Sequence, residues 1–122
     1  MDLKIGKVTI AVTKINEMVN FYTTIFSCDF KKIDAYNNTL YMGEIKGVKI
    51  LLCPNEIADV KAEQNRFQFD FYVKDIKKLI IDIETSGGRI IGKTEGAETL
   101  QSVSVMDPDG NTMVFIQKST VD

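Results

Sequence analysis

The same strand-to-helix junction occurs twice in this chain. Val12-Thr13-Lys14-Ile15 superimposes on Val73-Lys74-Asp75-Ile76, and the residue patterns flanking each tetrad superimpose with it. Before the first tetrad, Val8, Ile10 and Val12 alternate with Lys7, Thr9 and Ala11, the period of a strand with one apolar face, which predicts a strand from Ile5 to Val12. After it, Ile15, Met18, Val19, Tyr22, Ile25 and Phe26 form one stripe on a helix. Before the second tetrad, Phe67, Phe69, Phe71 and Val73 alternate with Gln68, Asp70 and Tyr72. After it, Ile76, Leu79, Ile80 and Ile83 mark a second amphipathic helix, which Gly87-Gly88 ends because glycine tolerates the left-handed conformation past a helix terminus. A chain patterned in this way builds one module twice.

The remaining segments complete each module. Strands are expected over Phe30 to Ala35, Thr39 to Ile45 and Val48 to Cys53, separated by turns at Asn37-Asn38 and Lys46-Gly47. The polar stretch from Pro54 to Gln64 reads as a linker, since proline cannot continue a central strand. Strands over Arg89 to Gly92, Leu100 to Met106 and Asn111 to Gln117 finish the second half. The expected organisation is a single α+β domain over residues 1–122: module one over 1–54, a linker over 55–64 and module two over 65–118, each module βαβββ. A single ferredoxin-like sandwich with an accidental echo of pattern is the competing reading.

Composition narrows the function classes. With 122 residues and 44% hydrophobic side chains the chain can bury one core. Fifteen Lys and Arg against seventeen Asp and Glu give a net charge of −2, which argues against nucleic acid, whose phosphates need a clustered positive surface. No apolar run approaches the ~18 residues of a membrane span, and Met1-Asp2-Leu3-Lys4 lacks the order of a signal peptide, so a cytoplasmic protein without a membrane partner is expected. Cys28 and Cys53 show neither a metal-binding nor a disulfide-framework spacing and read as reduced thiols.

Taken together, the opening strand followed by Phe21-Tyr22, the Gly87-Gly88 pair after the second helix, and Asp107-Pro108-Asp109-Gly110-Asn111 before the last strand resemble the vicinal oxygen chelate superfamily, the glyoxalase/bleomycin resistance/dioxygenase group. The resemblance covers nearly the whole chain. It implies a curved mixed sheet with a concave cleft, and in catalytic members a divalent metal held by His, Gln or Glu from the first and last strands of each module. Those positions correspond here to Lys7, Leu51, Gln68 and Val114. Three converging N, O or S donors are the minimum for such a metal, and of these four only Gln68 offers an oxygen; the chain has no histidine. The expectation is therefore no metal and no cofactor. The aspartates of the Asp107–Asn111 turn read as structural.

Strand alternation places Val8, Ile10, Val12, Phe67, Phe69, Phe71, Met113 and Phe115 under the helices. Their neighbours face the cleft, and Lys7, Thr9, Leu51, Gln68, Asp70, Tyr72, Ser104 and Val114 are the ligand-binding candidates. Lys7 reads as an anion anchor or a general base, or alternatively as the partner of Asp70 in an ion pair. Tyr72 reads as a stacking or donor group, or as a core-edge residue. Cys53 lacks a histidine to activate it and reads as core. The leading expectation is a metal-independent small-molecule binder, in its most concrete form sequestering an antibiotic or toxic compound, and the resemblance adds a homodimer. The alternatives are a lyase or isomerase using Lys7, Asp70 and Tyr72, and a partner-binding module with a closed cleft.

Overall fold

The computed structural model describes residues 4–58, 64–65, 67–96 and 100–118. Two compact units divide the chain, residues 1–61 and 62–122, and the boundary falls between the two copies of the repeat. Each unit carries its own four-stranded mixed sheet.

In unit 1, β1 (Lys7–Val12), α1 (Ile15–Phe26), β2 (Lys31–Ala35), β3 (Asn38–Ile45) and β4 (Val48–Pro54) give the sheet order β1-β4-β3-β2. β1 and β4 are parallel, α1 carries the chain from β1 across to β2 at the far edge, and the other pairs are antiparallel hairpins. Of the predicted stripe of α1, Met18 and Tyr22 lose nearly all solvent contact and Ile15, Val19, Ile25 and Phe26 are half-buried; Phe21, beside that stripe, is fully buried too, and Val12, Ile50 and Leu52 are the buried sheet residues on the same side. Gly43 shares the sheet face of Ile50, and a Cβ there would meet the Phe30 ring at 2.9 Å, so this glycine makes room for an aromatic ring.

Two expectations shift in unit 1. The hairpin before β3 turns on Tyr36-Asn37, both at positive φ, and Asn38 begins the strand; the paired left-handed residues are what a two-residue turn matching strand twist demands. Pro54 ends β4 opposite Val12 where strand pairing stops, and the expected linker begins with a short helix, α2 (Asn55–Ala58). The rest of that linker lies largely outside the described residues.

Unit 2 repeats the order with β5 (Asp70–Val73), α3 (Ile76–Thr85), β6 (Arg89–Glu95), β7 (Leu100–Met106) and β8 (Thr112–Gln117), arranged β5-β8-β7-β6. Its core comprises Ile76 and Ile83 of α3 with Val103, Val105, Met113 and Phe115 of the sheet. Gly87 takes φ +92° and the Gly88 amide returns to the Ile83 carbonyl, closing α3 as the glycine pair predicts. The Asp107–Asn111 turn is structural: buried Asp107 accepts from the amides of Asp109 and Asn111, each at 2.9 Å.

The expectation that Phe67 and Phe69 pack under the helices is corrected. β5 begins only at Asp70, and Phe67 and Phe69 remain 80% and 54% exposed. The register with β8 begins at Asp70, opposite Val114, and although the Phe69 carbonyl accepts from the Val114 amide at 3.0 Å, the Phe67 and Phe69 side chains stay in solvent. Of the three, Phe71 is half-buried, stacked on the core residue Phe115 with ring centroids 5.3 Å apart.

Candidate functional site

A sheet packed on one side by a helix presents its alternate residues on the other. In unit 1 the face away from α1 is fixed by register. Lys7 lies beside Lys49, Thr9 beside Leu51 and Ala11 beside Cys53, and β3 adds Glu44 next to Lys49 and Met42 next to Leu51. Burial is graded along this face: Lys7, Thr9 and Lys49 are exposed, Leu51 and Met42 half-buried, and Cys53 and Leu40 buried. The buried end lies next to α2, where Glu56 accepts a hydrogen bond from Asn38 at 3.4 Å.

Burial raises the Cys53 thiol pKa, and the nearby Glu56 carboxylate raises it further, against the lowering influence of Lys7. Cys53 is therefore held as a neutral thiol and is not primed as a nucleophile.

In unit 2 the corresponding face carries Asp70, Val114, Ser104 and Gly92 in one row across all four strands. Tyr72, Ile116, Ser102 and Thr94 form the next. This face is polar, rich in hydroxyls and partly open, with Ser102, Ser104, Val114 and Ile116 all half-buried. Tyr72 is covered on one ring face by the Lys118 ammonium, 3.8 Å from the centroid, a cation–π contact that restrains both groups.

Gln68 is held before β5 begins. Its amide nitrogen donates to Thr112 Oγ1 at 2.9 Å, and Thr112 is itself clamped by Asn65. The Asn65 side chain accepts from the Thr112 amide and donates to the Thr112 carbonyl, both at 2.9 Å, so it imitates a strand residue at the start of β8. The same Nδ2 also donates to the Phe67 carbonyl. Gln68 is thus oriented with its amide nitrogen engaged and its oxygen left as the remaining polar atom.

Of the candidates, Lys7, Thr9 and Leu51 share the face of unit 1, and Gln68, Asp70, Tyr72, Ser104 and Val114 share the side of unit 2 away from α3. Sequence reasoning missed Lys49 and Asn65. Lys49 was readable from alternation with Leu51 and Cys53. Asn65 sits just past the segment read as linker and ahead of the alternating pattern, and only its contact with Thr112, distant in sequence, shows its role.

Lys7, Leu51, Gln68 and Val114, the positions that the sequence resemblance assigned to a divalent metal, do not offer a ligand set for one. Leu51 and Val114 carry no donor atom, Lys7 presents a cation, and the Gln68 amide nitrogen is bonded to Thr112. Among the described residues no group of three or more His, Cys, Asp or Glu side chains gathers elsewhere. No helix is long and apolar enough to cross a membrane.

Comparison with known proteins places this geometry. Residues 7–116 match the family model described as a glyoxalase-like domain. No curated protein matches the sequence. Among solved structures, the fosfomycin resistance protein FosX from Listeria monocytogenes is similar with a TM-score of 0.77 at 14% identity, covering 100% of this chain and 96% of that one. A FosX variant from the same organism, complexed with Mn(II) and 1S,2S-dihydroxypropylphosphonic acid, gives 0.76 at 14% identity over 99% and 95% of the two chains. A glyoxalase/bleomycin resistance protein/dioxygenase family enzyme from Burkholderia phytofirmans PsJN gives 0.72 at 17% identity over 94% and 98%. At these identities the likenesses show a shared fold.

Proposed function

The chain belongs to the glyoxalase-like domain family, of the vicinal oxygen chelate fold, and on that footing we propose that it binds a small organic molecule on the helix-free faces of its sheets without using a divalent metal. What supports this reading is that Leu51 and Val114, which the sequence resemblance aligns with metal ligands, carry no donor atom and stand half-buried beside half-buried Met42 and Ser104 on the helix-free faces. A surface of that kind, apolar with a few fixed polar groups, is what small-molecule recognition uses. The fosfomycin resistance proteins among the structural neighbours make an antibiotic or toxic compound a reasonable ligand class, held by sequestration. The proposal extends to the two units acting as one domain, in a cytoplasmic homodimer.

The test pairs metal analysis with amide shift mapping. Purified protein is expected to carry no stoichiometric divalent metal and to melt at the same temperature with and without a chelator. Titration with a panel of antibiotics should move the amide resonances of Leu51, Ser104 and Val114 and spare the helix-side residues Leu52 and Phe115. Stoichiometric metal, or shifts confined to the helix side, would overturn the reading.

A further inference from the structure

The face of unit 1 contains a pair of charges that strand packing alone does not favour. Lys7 and Lys49 are direct register partners on neighbouring strands, β1 and β4. Strands in a sheet lie about 4.8 Å apart, and like charges placed directly opposite on one face repel. Both side chains are exposed, and among the described residues neither forms an ion pair. Glu44 is the register neighbour of Lys49 on the side away from Lys7, so it leaves the space between the two lysines without a negative charge. Lys31 adds a further cation one row along, opposite Met42. Beside this basic row the face turns apolar: Thr9, Leu51 and Met42 are in register, and beyond them Cys53 and Leu40 are buried.

We propose that Lys7 and Lys49 form an anion anchor at the open end of the Thr9–Leu51–Met42 floor, and that the occupant of this face is a small amphipathic anion. Its carboxylate or phosphonate-like head sits between the two ammonium groups and its apolar body lies over Leu51 and Met42. The bound head group removes the Lys7–Lys49 repulsion, so the empty protein carries a cost that binding relieves. This inference rests on the small-molecule reading above and deepens it for one face.

Three probes of equal tail length separate head from tail: octanoate, octylamine and octan-1-ol, titrated against uniformly labelled protein. Octanoate is expected to shift Thr9, Met42 and Leu51 and to bind more tightly than octan-1-ol by about fivefold, the size that exposed charge pairs supply. Octylamine should bind most weakly. Ionic strength near 1 M, where the Debye length is about 3 Å, should erase the advantage of octanoate. Lys49→Met should weaken octanoate while slightly raising the melting temperature of the empty protein, and Lys49→Arg should restore binding. A purely structural lysine would not produce those opposed signs.

Equal binding of octan-1-ol and octanoate, or unchanged octanoate affinity in Lys49→Met, overturns the anion anchor and leaves the broader reading standing. Failure of all three probes to move these resonances overturns the amphipathic occupant, while the antibiotic titration judges the broader reading by itself.

Discussion

Unit 1 and unit 2 share strand order, helix placement and the pairing offset between first and last strand: Thr9 faces Leu51 as Asp70 faces Val114. Their exposed chemistry differs. Unit 1 offers lysines beside an apolar floor, whereas unit 2 offers hydroxyls, Asp70, and an oriented Gln68. The cores diverge too, for Gly43 with the Phe30 ring in unit 1 stands where unit 2 has Val105 in register with Met113. The two units keep one backbone pairing pattern, which many side chains can adopt, while the side chains on either face differ.

The largest expected effect tests whether the two cores contribute equally. Phe21 and Phe115 are the largest fully buried side chains, one in each unit. Replacing either by Ala leaves a cavity and should cost about 3–5 kcal/mol, measured by urea unfolding. If the units act as one domain, both variants show a single transition displaced by similar amounts. Two transitions, with only the mutated unit weakened, would show that each unit folds by itself.

How much of this was legible in the sequence depends on whether the determinant was local. α1 and α3 were readable because a helix buries one stripe, and Met18, Tyr22, Ile76 and Ile83 lie on it. Alternation likewise gave the faces of β1, β4 and β8. It failed at Phe67 and Phe69, where the alternating pattern continues but the regular register with β8 begins only at Asp70. It also failed to anticipate that Ile91 would fall at a register shift between the pairs Ile90–Val105 and Gly92–Ser104. A bulge of this kind depends on the neighbouring strand, not on the residue sequence of β6 alone. The candidate residues could be assigned to faces from alternation. Their hydrogen bonds could not, because Gln68 and Asn65 meet Thr112 across most of a module.

An alkaline titration sharpens the contrast, since both cysteines belong to unit 1. Burial raises the Cys28 pKa from 9.0 to about 11 and also raises that of Cys53. Below pH 9 both states keep the Cys28 proton and its contribution to stability is fully present. Between pH 9 and about 11 the unfolded chain releases the proton first, so stability falls as pH rises. For Cys28 the loss is of order 2 kcal/mol, read from urea unfolding across this range. Cys28→Ala should abolish most of the decline, and amide exchange at high pH should accelerate in unit 1 before unit 2. A decline unchanged by Cys28→Ala would assign it elsewhere.

The smallest effect concerns the starts of the two helices. Asp75 caps α3 by accepting from the Lys78 amide at 3.2 Å, and Gln117 Oε1 accepts from the Ile76 amide at 3.0 Å. The equivalent cap position of α1 is Lys14, whose side chain makes no capping hydrogen bond. Gln117 has its register counterpart in Pro54, as Val73–Gln117 matches Val12–Pro54, and proline supplies no acceptor side chain. Asp75→Ala should therefore cost about 1 kcal/mol, and Lys14→Asp should gain up to about as much, because a carboxylate at the helix start can accept from a first-turn amide and complements the helix dipole. Amide exchange in the first turns should follow the same order, with the α1 start opening more readily than that of α3. Equal protection at both starts would mean that packing of Met18 and Ile76, not capping, sets the local stability of these helices.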